Sequence, residues 1–372
     1  MALQVRRIRL HDFRSYADVV IDDIGSLVVL AGPNATGKTN LVEGIQLLTA
    51  LDTFRNAKTE QLISWGRETA ALSAVFEDGE RRLDVGLMLD SRGRHYRING
   101  KQRPRQELQG VLPAVLFSPD DLQLVKGAPE LRRGAMDALG VQVSRNYLSV
   151  KRDYEKLLRQ KNRLLKDDVS ASYLASVNEV LVKIGGQLFR YRLKMLRGLR
   201  ELLSERHAAT TGSDDAVTIE YLPSFGSGNL LDDRDIAVYE NDRELVEEHL
   251  YKAICLRTNE EIARKTSLVG PHRDKPAFFL NGHPAADFAS QGQQRSIAIA
   301  YKLSELQLIE RLVHVKPILL LDDVMSELDA TRRSTLAQYV HEAAQTFITT
   351  TNLDYFTPEF LEQCQVVKLP LP

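Results

Sequence analysis

An octapeptide near the start of the chain has the residue types and the spacing needed to hold a chain of phosphates. Gly32 and Gly37 frame four residues, and Lys38 and Thr39 follow, which matches the pattern G-x-x-x-x-G-K-[ST]. In this pattern the backbone N–H groups and the amino end of the next helix face the phosphates, the lysine reaches the β- and γ-phosphates, and the hydroxyl binds Mg²⁺. The predicted phosphate-binding residues are Gly32, Pro33, Asn34, Ala35, Thr36, Gly37, Lys38, Thr39 and Asn40.

The surroundings of this octapeptide decide between a phosphate loop and a chance glycine-rich turn. Residues 27–31 form a short apolar run typical of a strand, and apolar residues recur at helical spacing after Lys38. This is the strand–loop–helix context that a phosphate loop requires. The sequence therefore favours a nucleotide site.

Two carboxylates follow an apolar run in the distal part of the chain. Residues 317–321 read Pro-Ile-Leu-Leu-Leu, as in a strand buried on both faces of a parallel sheet, and Asp322 and Asp323 come next. Asp322 is predicted to hold Mg²⁺, directly or through water, and Asp323 to polarise the attacking water. A buried strand that ends in a solvated turn is the alternative, and the phosphate loop upstream weighs against it. Residues 326–329, Ser-Glu-Leu-Asp, follow at the spacing of an ABC-type D-loop.

The pentapeptide Ser-Gln-Gly-Gln-Gln at 290–294 stands before a helical pattern and resembles an ABC-type signature. A serine at the amino end of a helix and the helix dipole both suit a γ-phosphate. A phosphate loop grips its ligand from one side, so we expect Ser290, Gly292 and Gln293 to close over a nucleotide held by a second subunit. An ordinary helix cap is the alternative.

Together the motifs predict ATP and Mg²⁺ as cofactors. The predicted metal ligands are Thr39 and Asp322. The predicted catalytic residues are Lys38, Asp323 and Ser290.

Six segments, in this order, resemble the RecF family of bacterial recombination-mediator ATPases, which are related to the heads of SMC proteins. They are residues 13–16, 115–122 with 125–127, 159–162, 270–274, 289–295 and 320–329. The resemblance implies an ATP-dependent homodimer that binds double-stranded or gapped DNA and a RecR-type mediator protein as partner. Recombinase and single-strand-binding protein would be indirect partners. The implied role is assistance in recombinase loading during DNA repair and replication restart.

Two departures from the general ABC pattern bear on the rate of hydrolysis. Asp323 stands where transporters usually carry glutamate, so its carboxylate reaches one methylene less far. The strand at 345–351 ends without the histidine common in ABC enzymes, and a threonine there cannot shuttle charge as imidazole does. We therefore expect a weak ATPase that suits a switch better than a pump, and the resemblance implies that DNA stimulates it.

Composition narrows the class of protein. The 372 residues carry a net charge of -1, so contact with DNA must rely on local basic patches. No apolar run approaches the ~20 residues of a membrane helix, and the N-terminus lacks a secretory segment. The two cysteines, Cys255 and Cys364, do not have metal-ligand spacing. We expect a cytoplasmic protein without a membrane partner.

The order of elements predicts an α/β fold, an ABC-type ATPase head with a mixed sheet and an inserted, mostly α-helical lobe. Residues 1–128 form the first part of the ATPase lobe, 129–265 the helical lobe, and 266–372 return to the ATPase lobe with the signature, the carboxylates and the D-loop. Heptads are not sustained, so the inserted lobe should lack a long coiled coil. An SMC-like structural or defence ATPase acting with another partner is the alternative, and an ABC transporter subunit is disfavoured by the motif spacing.

Basic residues cluster in three regions, 91–106, 151–166 and 190–200, and the first two contain the residues predicted to contact DNA. Phosphate contacts of this kind give salt-sensitive binding without sequence preference, although charged surfaces are more often simply solvated. The candidates are Arg94, Arg97, Lys101, Arg103, Arg105, Lys151 and Arg152.

Overall fold

The computed structural model describes residues 2–55, 57–167, 170–226 and 228–370. The chain forms two compact units, Met1–Leu122 with Ile299–Pro372, and Gln123–Ala298. The second unit extends beyond the predicted helical lobe of 129–265 at both ends, and it contains the signature segment.

Fourteen strands lie in the described residues. They are β1 (Gln4–Phe13), β2 (Tyr16–Ile21), β3 (Leu27–Ala31), β4 (Ala70–Glu77), β5 (Arg82–Asp90), β6 (Gly93–Ile98), β7 (Lys101–Arg103), β8 (Ala114–Phe117), β9 (Val217–Leu222), β10 (Lys275–Leu280), β11 (His283–Pro284), β12 (Ile318–Leu321), β13 (Gln345–Thr350) and β14 (Gln365–Lys368).

Thirteen α-helices accompany these strands in the same ranges. They are α1 (Lys38–Thr49), α2 (Thr59–Leu62), α3 (Arg105–Leu108), α4 (Gln123–Lys126), α5 (Pro129–Val143), α6 (Arg145–Leu164), α7 (Ala171–Thr211), α8 (Asp233–Asn241), α9 (Arg243–Arg264), α10 (Ala285–Phe288), α11 (Gln291–Val313), α12 (Ala330–Tyr339) and α13 (Pro358–Glu362). Short 3₁₀ helices cover Pro119–Leu122, Pro271–Arg273, Val324–Glu327 and Leu353–Tyr355.

Five strands of the first unit form a parallel sheet in the order β14-β3-β13-β12-β8. Every residue of β3, β8 and β12 is buried, as expected of strands covered on both faces. The predicted strand before the two carboxylates is thus confirmed. Because the carboxyl ends of parallel strands meet at one edge, the segments that follow β3, β12 and β13 lie side by side.

The other six strands of this unit form an antiparallel sheet in the order β2-β1-β4-β5-β6-β7. Burial alternates along β4, so one face of the sheet is directed to the core. At the turn Asn99-Gly100, between β6 and β7, both φ angles are positive, 48° and 76°, as a type I′ turn requires. The buried face of the sheet joins α1 in one hydrophobic cluster, which includes Leu10, Leu72 and Ile45. The unit therefore contains both parallel and antiparallel strands, and they lie in two separate sheets.

The second unit combines α-helices with a small antiparallel sheet of order β11-β10-β9. Its longest helix, α7, has 41 residues and packs against α6, α8 and α9 of the same unit. The predicted α/β fold with a compact, mostly helical lobe is confirmed.

A buried ion pair lies at the centre of the second unit. Arg192 donates to Asp137 Oδ1 from Nε (3.0 Å) and from Nη2 (2.9 Å), and its Nη1 donates to Pro271 O at 2.6 Å. The Tyr147 hydroxyl also donates to Asp137. Burial opposes the charged carboxylate, yet Arg192 and Lys151 hold the pKa of Asp137 below its ordinary value.

The segment at 270–274, part of the family resemblance, serves the packing of this unit. The fully buried Asp274 accepts a hydrogen bond from the Tyr221 hydroxyl at 2.7 Å. The Tyr154 hydroxyl lies 2.7 Å from Nδ1 of His272. Burial lowers the pKa of His272 to about 3, so the ring is neutral at physiological pH and can accept a hydrogen bond from the Tyr154 hydroxyl.

The turn between β1 and β2 carries a second buried ion pair, in the first unit. Arg14 donates from Nε to Glu43 Oε2 at 2.9 Å and from Nη2 to Glu43 Oε1 at 3.0 Å. The Glu43 side chain is fully buried and also accepts from the Thr53 hydroxyl. The pair therefore fixes the turn to α1, the helix that follows the predicted phosphate loop.

Arg14→Met should lower the free energy of unfolding by about 3–5 kcal/mol, because Glu43 would stay buried without its counter-charge. Arg9→Met is the matched control, since Arg9 makes a similar two-bond pair with Asp18 but the two side chains are 51% and 46% exposed. Its loss should stay below about 1 kcal/mol. Urea denaturation measures both values, and equal losses would contradict the importance of the buried pair.

Candidate nucleotide-binding site

The predicted phosphate loop connects the end of β3 with the start of α1, which confirms the strand–loop–helix prediction. Pro33, Asn34 and Ala35 form its exposed rim. Thr36 Oγ1 donates to Pro33 O at 2.9 Å and closes the loop on itself. The backbone of residues 33–35 is therefore accessible to a ligand.

Both glycines of the motif are required by close contacts. Gly37 has φ 97°, and a Cβ there would lie 2.7 Å from the hydroxyl of Tyr16, which donates to Gly37 O at 3.1 Å. A Cβ on Gly32 would lie 2.5 Å from the carbonyl oxygen of Leu369. Larger residues at either position would displace the loop.

Lys38 is buried, and its ammonium group is held over the loop. Nζ donates to Gly32 O at 2.6 Å and to Pro33 O at 2.7 Å. Burial lowers the pKa of Lys38, while the negative charges of Asp323 and Asp322 oppose this shift. A cation thus stands between the loop and the two carboxylates, where negative phosphate oxygens would be stabilised.

Asp322 joins the carboxyl ends of β12 and β13 to the phosphate loop. Its Oδ1 accepts from Thr39 Oγ1 at 3.0 Å and from Thr349 Oγ1 at 2.9 Å. Burial raises the pKa of Asp322, and the bonds from Thr349 and Thr39 counteract that shift. The two predicted metal ligands are therefore in contact.

The donor set fits Mg²⁺. The Thr39 hydroxyl and the Asp322 carboxylate provide hard oxygen atoms next to the phosphate loop. Among the described residues no group of three or more His, Cys, Asp or Glu side chains could hold a metal ion. Mg²⁺ needs no such cage, because it usually binds one or two protein oxygens together with substrate phosphates and waters.

Asp323 is held so that part of its carboxylate has no partner. Its φ is 52°, and its N–H donates to Thr349 Oγ1 at 2.8 Å. Oδ1 is buried without a hydrogen-bond partner among the described residues. An unpaired buried carboxylate oxygen is costly, and it is suited to accept a hydrogen bond from a water molecule.

Three neighbouring residues were not predicted as site residues. Thr349 bridges Asp322 and Asp323, Tyr16 contacts Gly37, and Arg55 donates to Asn40 Oδ1 at 3.2 Å. Tyr16 belongs to the segment 13–16, which resembles the RecF family, but no function was assigned to this segment from its sequence. Thr349 and Arg55 have no local motif that distinguishes them.

The predicted signature residues lie in the second unit, at the start of α11. Ser290 Oγ accepts from Gln293 N at 3.3 Å, and Gln293 Oε1 accepts from Ser290 N at 3.0 Å, which is a capping box. Gly292 lies in the first turn of α11 and Ser290 is exposed. Within one chain Ser290 therefore acts as a helix cap, as the alternative interpretation predicted. Its hydroxyl is still accessible.

The predicted DNA-contacting residues divide into two groups. Arg94 and Arg105 form ion pairs with Asp52 at 3.9 and 3.6 Å, Arg103 pairs with Glu107 at 3.2 Å, and Lys151 pairs with Asp137 at 3.4 Å. For the other three, all exposed, the described residues provide no ion pair within 4.0 Å. These three are Arg97, Lys101 and Arg152.

Residues 4–368 match the family model of the RecF/RecN/SMC N terminal domain. The DNA replication and repair protein RecF of Synechococcus sp. (strain JA-3-3Ab) is 35% identical over 374 residues, which cover 99% of this chain and 96% of the relative. The protein of the same name from Nostoc punctiforme (strain ATCC 29133 / PCC 73102) is 36% identical, with 98% and 97% covered.

Solved structures agree with this relationship. The recombination mediator protein RecF-ATPrS in the RecFOR pathway has a TM-score of 0.86 at 27% identity, with 96% of this chain and 94% of that chain covered. The corresponding RecF-ATP structure has a TM-score of 0.82 at 28% identity. An Smc head bound to the C-winged helix domain of ScpA shares only the fold, with a TM-score of 0.52 at 14% identity.

The fold and the site define an ABC-type ATPase head of the class that includes the SMC heads. Within this class the chain belongs to the RecF family. None of the helices in the described part of the chain is long and apolar enough to cross a membrane.

Asp323→Asn should lower ATP turnover at least about 100-fold and leave ATP binding intact, because the amide cannot polarise water as a carboxylate does. Asp354→Asn, an exposed acid of the same unit, is the control and should have no effect. Phosphate release and nucleotide binding measure the two properties. Normal turnover in Asp323→Asn, or loss of binding, would remove the proposed role of this carboxylate.

Proposed function

We propose that this chain is an ATP-dependent, DNA-binding recombination mediator that acts in DNA repair and replication restart. The observation that carries the proposal is the contact of Thr39, Asp322 and Thr349 beside the phosphate loop. The full-length relatives are named DNA replication and repair protein RecF, and the similar solved structures are of the recombination mediator protein RecF with nucleotide. These names give the site its expected ligand, ATP, and its expected process.

Each residue of the site has a definite role in this proposal. Backbone N–H groups of the loop hold the phosphates, and Lys38 exchanges its two carbonyl partners for phosphate oxygens. Thr39 and Asp322 hold Mg²⁺, which neutralises phosphate charge when bound. Asp323 accepts a proton of the attacking water through its unpaired oxygen, so ATP is converted to ADP and phosphate.

Hydrolysis is proposed to be slow. Asp323 is shorter than glutamate, and Thr349 is already occupied by bonds to Asp322 and to the Asp323 N–H. No histidine follows β13 within residues 351–360. A slow ATPase would keep an ATP-bound state long enough for it to act as a switch.

The ATP-bound state is proposed to be a homodimer. Ser290, with Gly292 and Gln293, would complete the nucleotide site of the other subunit. Support comes from the exposed hydroxyl at the amino end of a 23-residue helix, where the helix dipole favours negative charge. Two nucleotides would then be held at one interface.

DNA, duplex or gapped, is the proposed ligand of the dimer. Arg97, Lys101 and Arg152 are the best candidates for phosphate contacts, since the other predicted cations already have acidic partners. A RecR-type mediator is the proposed protein partner, and recombinase and single-strand-binding protein are indirect partners. The cytoplasm is the proposed location.

Ser290→Arg should bind ATP as a monomer, because the long cation blocks the partner's phosphates while the phosphate loop stays intact. Its ATP hydrolysis should no longer respond to duplex or gapped DNA. Size-exclusion chromatography with ATP and steady-state hydrolysis with no DNA, duplex DNA and gapped DNA measure this. An intact ATP-dependent dimer would contradict the composite site.

A mixture of variants tests the same geometry in another way. Lys38→Met should abolish ATP binding in its own phosphate loop, but this variant still has Ser290 to complete the site of a partner subunit. Mixed with Ser290→Arg, it leaves one potentially complete site per heterodimer. Heterodimers should therefore form with ATP, whereas neither variant alone should dimerise.

Arg97→Gln combined with Lys101→Gln should weaken duplex binding and reduce the slope of log affinity against log salt by about 2, one unit per lost phosphate contact. Arg7→Gln with Arg82→Gln is the matched control, because it removes the same charge from exposed arginines of the same sheet. Fluorescence anisotropy over a salt series measures both. Equal losses in the two double variants would mean that only overall charge matters.

A further inference from the structure

Two aromatic side chains are exposed to solvent although each stands on a well-fixed segment. Trp65 is fully exposed and Phe288 is 68% exposed. In the described part of the chain only one other large apolar side chain is more than half exposed, Leu256 at 86%. Apolar residues that are exposed singly are ordinary. Trp65 and Phe288 differ from the ordinary case in their positions, because each lies beside one half of the proposed composite nucleotide site.

Trp65 stands on a tight turn between α2 and β4. Arg67 N donates to Ser64 O at 3.0 Å. Gly66 has φ 76°, as the third residue of a type II turn requires. Trp65 is the second residue of this turn, so its side chain is carried outward on a fixed backbone.

The same turn is tied to the phosphate loop through the residues between β1 and β2. Ser64 Oγ donates to Arg14 O at 2.9 Å and lies 3.5 Å from Tyr16 O. The Tyr16 hydroxyl donates to Gly37 O at 3.1 Å. A single tyrosine side chain therefore separates the turn that carries Trp65 from the glycine at the end of the phosphate loop.

Phe288 stands two residues before Ser290, the predicted signature serine. Its ring centroid lies 5.2 Å from that of His283. Between Phe288 and Ser290, Ala289 O accepts from Gln294 Nε2 at 2.9 Å. The exposed phenyl ring is thus held next to the exposed serine hydroxyl at the start of α11.

The proposed homodimer needs apolar area that its phosphate contacts do not supply. One Ser290 hydroxyl per nucleotide provides a single hydrogen bond, whereas association must offset the lost freedom of a whole subunit. Aromatic side chains bury about 150–250 Å² each. Two copies each of Trp65 and Phe288 would contribute about 600–1,000 Å², a large part of the roughly 1,600 Å² that a stable interface buries.

We propose that Trp65 of one subunit and Phe288 of the other become buried together at each nucleotide site when ATP joins two copies of this chain. This inference rests on the proposed ATP-dependent homodimer, in which the phosphate loop of one subunit meets the signature segment of the other. Trp65 accompanies the loop and Phe288 accompanies the signature, so the same encounter brings both into the interface. In a two-fold dimer each side chain is used twice.

The first test uses Trp65 as a reporter, because it is the sole tryptophan of the chain. Indole emission moves to shorter wavelength, and quenching by acrylamide falls, when the ring leaves water. ATP with Mg²⁺ should produce both changes in the unaltered protein, with quenching reduced several-fold, at concentrations where size-exclusion chromatography shows a dimer. Ser290→Arg, which should bind ATP as a monomer, should show neither change.

The outcomes separate this inference from the proposed homodimer. A dimer with unchanged emission would refute the burial of Trp65 and leave the homodimer standing. The same emission change in monomeric Ser290→Arg would assign Trp65 to the nucleotide of its own subunit and overturn the inference. Absence of a dimer with ATP would refute the proposed homodimer and this inference with it.

Truncation tests each aromatic side chain separately. Trp65→Ala and Phe288→Ala should each raise the dissociation constant of the ATP-bound dimer at least about tenfold, as expected of aromatic anchors at the centre of an interface. ATP binding to the monomer should be unchanged. Leu256→Ala is the matched control, because Leu256 is also exposed but stands on α9, away in sequence from both motifs.

Analytical ultracentrifugation over a concentration series measures the dissociation constants. Equal dimer affinity in Phe288→Ala and Leu256→Ala would remove Phe288 from the interface. Thermal melting checks that each variant folds. Trp65→Gln and Phe288→Gln, which keep much of the side-chain volume but not its apolar character, repeat the test if a truncated variant does not fold.

Discussion

The hydrogen bonds from Thr39 and Thr349 to one oxygen of Asp322 are the junction on which the nucleotide-binding unit depends. They join Asp322, which follows β12, to Thr349 within β13 and to Thr39 after the loop that follows β3, and they depend on β3, β13 and β12 being adjacent and parallel. The register pairs Leu321 with Ile348. A shift of one residue would turn the side chain of Thr349 to the other face of the sheet, so the core packing and the chemistry depend on the same register.

The turn between β1 and β2, together with Tyr16, also contacts the phosphate loop and α1. Tyr16 restricts the residue at position 37 to glycine, and Ser15 Oγ accepts from Asn40 Nδ2 at 2.9 Å. Arg14 anchors the same turn to α1 through the buried Glu43. The antiparallel sheet thus contributes rigidity to a site whose ligand-binding atoms come from the parallel sheet.

Much of the site could be predicted from sequence because its motifs are local. The positions of Lys38 and Thr39 follow from one octapeptide, and the apolar run at 318–321 indicated where Asp322 and Asp323 would lie. Thr349 could not be predicted, because its partners lie 26 and 27 residues earlier in the chain and are reached only through strand pairing. The sequence predicted a mixed sheet, but not that the antiparallel strands would form a sheet separate from the parallel one.

The basic residues show the same limit more clearly. Arg94 and Arg97 cannot be distinguished in the sequence, because both belong to the same basic stretch. In the structure Arg94 donates to Ala57 O at 3.0 Å and pairs with Asp52, whereas Arg97 is exposed. Which cation remains available depends on where Asp52 is placed by the fold. A cluster of basic residues in the sequence therefore overestimates the number of cations available to bind DNA, because some of them form ion pairs within the fold.

The capping box at Ser290 has a consequence for which residues evolution can place there. Its oxygen accepts from Gln293 N, and its hydroxyl hydrogen remains available to donate. For the helix alone, aspartate or asparagine would cap as well as serine. In the proposed dimer aspartate would repel the partner's phosphate, and asparagine would place its amide elsewhere. In the proposed dimer a hydroxyl residue at this position would therefore meet two demands, helix stability within a subunit and recognition between subunits, and only the second would exclude the other good caps.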